Sequence, residues 1–132
     1  MRMYLTHCSA KKDDTLKGTG TKVTPDRLYT ATPTQRFIQR CRAQGVKWAI
    51  FSDLYGVWLP EAEHEWYEKD PDTVTQSEFQ QLLANFDREL ENYDEIWFYR
   101  NPGRYHPLYQ RLLASSRHTD SVVMISHLSE IE

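Results

Sequence analysis

The residues of this chain best equipped for chemistry stand in four short polar clusters, each directly after an apolar run. Cys8-Ser-Ala-Lys-Lys12 follows Met3–His7, and Ser52-Asp-Leu-Tyr-Gly56 follows Lys47–Phe51. Arg100 and Asn101 follow Glu95–Tyr99, and Ser126, His127 and Ser129 follow Ser121–Ile125. A thiol beside lysines is a nucleophile if the cations draw it toward thiolate; otherwise Cys8 is a small buried residue closing a strand. Ser9, Lys11 and Lys12 suit a phosphate or carboxylate, and the lysines suit solvent equally well. Ser52 with Tyr55 and Gly56 fits a tight turn that offers backbone N–H groups to an anion. It also fits a plain strand-to-loop turn with Tyr55 in the core. Asp53 supplies a carboxylate. His127 has the chemistry of a general acid or electrophile, and also the position of an exposed histidine near a chain end.

The elements that must position these groups alternate along the chain. Thr32 is an N-cap type with Pro33 at the first helical position. Phe37, Ile38 and Cys41 then recur on one face, Arg36, Arg40 and Arg42 fall outside it, and Gly45 suits a left-handed stop. Thr75-Gln-Ser-Glu78 is a capping box leading into Phe79, Leu82, Leu83, Phe86 and Leu90. A third helix opens between Arg104 and Pro107 and carries Leu108, Tyr109, Leu112 and Leu113. Helices between successive strands imply parallel pairing through right-handed crossovers. The expected fold is α/β: one domain over residues 1–132, a three-layer α/β/α sandwich with a four-stranded parallel sheet. The first strand, short and apolar, is expected at the centre. Phe37, Ile50, Phe79, Leu82, Phe86, Ile96, Phe98, Leu112, Val123 and Ile125 are the expected core. Ligands of such sheets bind outside the carboxyl ends of the strands, so all four polar clusters are expected on one rim.

Two segments read as irregular. Lys11–Thr30 reads as a long loop; its Gly18-Thr-Gly20 lacks the Gly-Lys-Ser/Thr of a phosphate-binding P-loop. Trp58–Val74 is acidic and aromatic. Trp58, Trp66 and Tyr67 read either as a pocket wall on which a base stacks or as a flap over the sheet.

Charge is uneven. Residues 1–50 carry ten basic and three acidic side chains, and residues 51–95 carry two and thirteen, which makes +7 against −11. The two regions either neutralise each other on folding or leave a basic part for phosphate. Cys8 and Cys41 are too few for a disulfide framework or a zinc set, and His7, His64, His106 and His118 have no metal spacing. No metal or cofactor is expected. No apolar run reaches membrane-spanning length and no signal-peptide pattern opens the chain, so no membrane partner and a reduced, cytoplasmic setting are expected.

Cys8-Ser-Ala-Lys-Lys12, Leu28-Tyr29, Trp48-Ala-Ile-Phe-Ser52, Tyr55-Gly56-Val57 and Pro60, with Gly103-Arg-Tyr105, resemble ordered blocks of the DUF6884 group, which is related to the YaaA peroxide-stress proteins. Phe51 and Asp53 depart from the leucine and the small residue of that pattern. Ile125-Ser-His-Leu-Ser129 is similar to the His-x-Ser loop after the last strand of uracil-DNA glycosylase folds. Cys8 and Lys12 resemble a core motif of archaeosine synthase, which modifies a deazaguanine base in tRNA. These resemblances imply a uracil-DNA glycosylase-like or flavodoxin-like fold and the handling of a nucleobase or its glycosidic bond.

The expected function is therefore a nucleobase- or nucleic-acid-directed enzyme, glycosylase-like or base-modifying, with a nucleoside, nucleotide or nucleic acid as substrate. His127 would polarise the base, Asp53 would stabilise the sugar cation, and Cys8 is the candidate nucleophile. Ser9, Lys11, Lys12, Ser52, Tyr55, Gly56, Arg100, Asn101 and Ser129 would bind substrate or phosphate. The alternative is a non-catalytic nucleotide or nucleic-acid binding domain in a stress or phage-related system.

Overall fold

A computed structural model of the chain describes residues 1–100 and 105–132. In chain order its elements are β1 (Arg2–His7), β2 (Lys22–Val23), α1 (Pro25–Leu28), α2 (Thr32–Gln44), β3 (Trp48–Ser52), β4 (Gly56–Trp58), β5 (His64–Glu65), α3 (Gln76–Glu89), β6 (Glu95–Tyr99), α4 (Pro107–Ser115) and β7 (Val122–Ile125). The fold is mixed α/β around a five-stranded, mostly parallel sheet in the order β4-β3-β1-β6-β7. β1 is central. Tyr4 lies opposite Trp48 on one side and Trp97 on the other, and Leu5 lies opposite Ala49 and Phe98. From Met3 to His7 every residue of β1 is buried, as an apolar strand between two parallel neighbours must be.

The four predicted strands are all present and parallel. The fifth, β4, departs from the expected count. The Ser52 hydroxyl accepts from the N–H groups of Leu54 and Tyr55 at 3.1 and 3.0 Å. With Gly56 at φ +80°, that staple turns the chain back so that Val57 pairs antiparallel with Phe51. A β-carbon on Gly56 would lie 2.3 Å from Asn85 Oδ1, the atom that accepts from Val57 N–H at 2.8 Å. Glycine is required there by the positive φ and by the close approach of α3.

Lys11–Thr30 is built rather than loop-like. It holds a 3₁₀ turn at Asp14–Leu16 capped by Asp13, then β2, which pairs with β5, then α1. Lys12 also bridges to Tyr29 in antiparallel fashion. Such short pieces carry no periodicity, which is why the sequence hides them.

α3 has its capping box: Thr75 Oγ1 accepts from Glu78 N–H, and Glu78 Oε1 accepts from Thr75 N–H. α2 begins one residue earlier than expected. Its N-cap is Ala31, which has no side chain able to accept, and Pro33 sits at the second position rather than the first. Gly45 closes α2 at φ +65°.

The core contains every predicted residue except Val123, which is 36% exposed. β7 is an edge strand, and both Val123 and Met124 face solvent there. Phe86 of α3 meets Phe51 edge-to-face with ring centroids 5.8 Å apart. Burial of one such ring stabilises by roughly 1.5–3 kcal/mol. Among the described residues no helix is long and apolar enough to cross a membrane.

Candidate functional site

Strand order reverses about β1: the chain passes from β1 to β3 on one side, then back to β6 on the other. A cavity of about 410 Å³ opens there, at the carboxyl ends of β1, β3 and β6. Small-molecule sites span roughly 300–1,000 Å³ and favour this switch point. Thr6, His7, Cys8, Ser9, Lys11 and Lys12 line it from the end of β1, Asp53 from the end of β3 and Tyr99 from β6. Thr32, Pro33 and Thr34 bring the N-terminus of α2 to it, His106 and Tyr109 bring that of α4, and Tyr67, Lys69 and Pro71 close it from the acidic segment.

The floor is polar and buried. Asp53 is 3% exposed, and its Oδ1 is buried with no hydrogen-bond partner. Burial pushes its carboxyl up, while the Cys8 thiol, the Lys12 charge and the Tyr67 hydroxyl pull the other way. Lys12, for which the sequence left a binding role and solvent equally open, is 7% exposed. Its Nζ stands 4.6 Å from the centre of the Tyr67 ring and donates to Ala10 O at 3.5 Å. Among the described residues no carboxylate lies within ion-pair distance of it. Tyr67 is fixed by Ser52 Oγ, which donates to its hydroxyl at 3.1 Å, and by the Tyr29 hydroxyl.

Cys8 Sγ is 3.1 Å from the Tyr109 hydroxyl. Burial, and then the charge of Asp53, push the Cys8 thiol up to about 12. This favours the protonated thiol near neutral pH and, of the two readings of Cys8, the small buried residue that closes a strand.

His7 carries the second unpartnered atom. Its Nδ1–H donates to Cys8 O at 3.0 Å, which leaves Nε2 as a bare acceptor, buried and without a partner. The ring lies between Tyr109 and Phe98, with centroids 5.1 and 6.3 Å away. Burial holds its imidazole below the ordinary histidine range. In the sequence His7 stands out only as one of four histidines without metal spacing. Its place as the last residue of the first strand was the signal that pointed to the cavity.

The mouth is pinned. Lys69 Nζ donates to Glu78 Oε2 at 3.0 Å. His106 Nδ1 accepts from Leu108 N–H, so its proton is on Nε2, which donates to Asp72 Oδ1 at 2.6 Å.

Of the sequence-predicted site residues, Cys8, Ser9, Lys11, Lys12 and Asp53 converge on this cavity. Ser52 lies beneath it, holding Tyr67. The N–H groups of Leu54 and Tyr55 are taken by Ser52 itself, so the expected anion-binding turn is closed. The Tyr55 ring stacks on His64 at 4.0 Å, and Gly56 serves the close contact with Asn85. The fourth strand end is elsewhere. β7 lies two strands from β1, about 10 Å across the sheet, so exposed His127 and Ser129 do not line the cavity. The expected pairing of His127 with Asp53 therefore does not form. Arg100 lines a separate depression with Tyr105 and Met124. Asn101, Gly103 and Arg104 lie outside the described residues. Of the aromatic wall, Tyr67 lines the cavity, Trp58 is core, and Trp66 Nε1 donates to Asp14.

Among the described residues no group of three His, Cys, Asp or Glu side chains is placed to hold a metal ion. No family model matches the chain, and no curated protein or solved structure is significantly similar to it.

Proposed function

We propose that the chain cleaves the N-glycosidic bond of a nucleobase-bearing small molecule in the cavity at the end of β1. The observation that carries this reading is Asp53: a buried carboxyl with one oxygen unpartnered, on the floor of a nucleotide-sized cavity walled by tyrosines. A buried polar atom left without a partner calls for one from a ligand. As the bond breaks, positive charge grows at C1′, and a buried carboxylate stabilises it far more than one in water. The C1′–N electron pair leaves with the base. Water supplies hydroxide to C1′ and a proton to the base nitrogen. The Lys12 charge pulls the Asp53 carboxyl back toward its ionised form against its burial, and Tyr67, Tyr99 and Tyr109 wall the space the base would occupy. Cys8 acts as a hydrogen-bonding neighbour of Asp53, not as a nucleophile.

We place the chain with the DUF6884 group on the blocks quoted above, several of whose residues meet at the cavity. The finer fold follows the same reading: a three-layer sandwich with α2 on one face and α3 and α4 on the other, as right-handed crossovers require. The parallel strands, numbered by occurrence, run 2-1-3-4, in keeping with a flavodoxin-like or uracil-DNA glycosylase-like order.

The test is release of free base, followed by chromatography, from ribo- and deoxyribonucleosides, their 5′-monophosphates and short oligonucleotides. Wild-type protein releases base from at least one of them, and Asp53→Asn lowers the rate about 10²-fold or more. Equal rates in the two proteins overturn the role of Asp53. One observation favours a second reading, a binding domain without turnover: His127 stands apart from Asp53. Binding with no base release from any substrate decides for that alternative.

A further inference from the structure

We infer that the ligand of this cavity carries a phosphate monoester, seated on the N-terminus of α2. This deepens the nucleotide reading and rests on it. α2 is thirteen residues long, and its N-cap Ala31 brings no acceptor. Pro33 has no N–H, and among the described residues nothing accepts from the N–H groups of Thr32 and Thr34. Those two donors stand at the positive end of the helix dipole, and their residues line the cavity. Thr34 Oγ1 donates to Ser9 Oγ at 3.3 Å, so the Ser9 hydroxyl proton is free to donate. Lys11 adds an ammonium to the same lining.

A second observation marks the cavity as built for a ligand. His7 and Asp53 line it, are 5% and 3% exposed, and each keeps a buried polar atom without a partner. The protein caps its other long helices with side chains, α3 through Thr75 and α4 through His106.

Two N–H groups, a hydroxyl and an ammonium match a three-oxygen dianion better than a two-oxygen carboxylate. A single nucleotide suits the volume. A polyanion does not suit the neighbourhood, because the segment that closes the cavity belongs to the region carrying two basic and thirteen acidic side chains.

The experiment is calorimetric titration of the four ribonucleosides, their 5′-monophosphates, inorganic phosphate and a short single-stranded oligonucleotide. The proteins are wild type, Ala31→Ser, Ala31→Asp and Lys11→Ala. Ala31→Asp caps α2 with a negative side chain, so it holds or raises the melting temperature while repelling the phosphate. At least one monophosphate is expected to bind wild type about tenfold or more tighter than its nucleoside. Ala31→Asp sets a carboxylate at the seat itself and so removes that difference. Ala31→Ser and Lys11→Ala each reduce it, and they carry the test if the aspartate variant fails to fold. Equal affinities for nucleoside and monophosphate in wild type, or a difference that survives all three substitutions, overturn the phosphate seat and leave the nucleobase reading standing. Phosphate binding that is sensitive to Ala31→Asp, with no binding of any base-bearing ligand, keeps the seat and overturns the nucleobase reading. An oligonucleotide without terminal phosphate that binds as tightly as the monophosphate overturns the monoester assignment.

Discussion

α2 and α3 are of nearly equal length, thirteen and fourteen residues, yet their N-termini are built for opposite ends. At α3 every device that closes a helix start is present. Thr75 and Glu78 satisfy each other's donors, and Lys69 clamps Glu78 from the preceding segment. At α2 the cap is alanine and the donors are left open beside a cavity holding two unpartnered polar atoms. A helix start that is closed contributes to stability. One that is open keeps its donors for something the chain does not contain.

Substitutions sharpen that contrast, beginning with the largest effect. Phe86→Ala empties the inner face of α3 and is expected to cost about 3–5 kcal/mol, read as a fall in urea midpoint. Ligand affinity, measured where the variant is still folded, is expected to be unchanged. A midpoint near wild type would place Phe86 outside the core. Gly56→Ala comes next, at about 2–3 kcal/mol. That figure combines the left-handed penalty of about 1–2 kcal/mol with the hydrogen bond of about 1 kcal/mol that Asn85 would give up. Thr75→Ala removes the α3 cap and is expected to cost about 1 kcal/mol with no change in the affinity of any cavity ligand; a loss of affinity would break the division of labour between the two helix starts.

The smallest effects have opposite signs in pH. The N–H of Thr75, then Lys69, holds the Glu78 carboxyl below its ordinary 4.5. Its support for the fold is therefore full above that value and lost as pH falls through the lower, folded one. Asp53 is raised above its ordinary 3.8 by burial. Its ionisation therefore weakens the fold as pH rises through the raised value, and Asp53→Asn is expected to melt higher than wild type near neutral pH while losing turnover. A lower melting temperature at that pH would mean that Lys12 depends on the Asp53 charge more than Asp53 suffers from burial. Melting curves of Glu78→Gln and Asp53→Asn from about pH 3 to 8, a range spanning ordinary carboxyl values and neutrality, check both signs.

The parallel strands, α3 with its box and the αL stop at Gly45 were legible because each has a local cause: a run of apolar residues, a reciprocal side-chain pair, a glycine. Five cavity residues were legible because they follow strands. The rest depended on strand order. Nothing local tells Ser126-His-Leu-Ser129 that its strand is an edge two places from the centre, so from the sequence its histidine reads as part of a rim it does not share. Nothing local tells His7 that its neighbours will be Tyr109 and Phe98. For Lys12 the sequence leaves a binding role and solvent equally open, because burial of a lysine depends on Tyr67, fifty-five positions later. The uncapped start of α2 was misread by one residue, since Thr32 is a good cap type and only the backbone shows that Ala31 takes the place.

The central position of β1 also sets an order of events at birth. It is the first strand synthesised, and one of its edges is completed only by β6, where Thr6 meets Tyr99 ninety-three residues later. At synthesis rates of roughly 5–20 residues per second, that edge waits about 5–20 s after it is made. Pairing with β3 comes sooner but covers only the other side. The strand that delivers His7 and Cys8 to the cavity is thus the one left open longest, and the sheet closes only when the last quarter of the chain arrives.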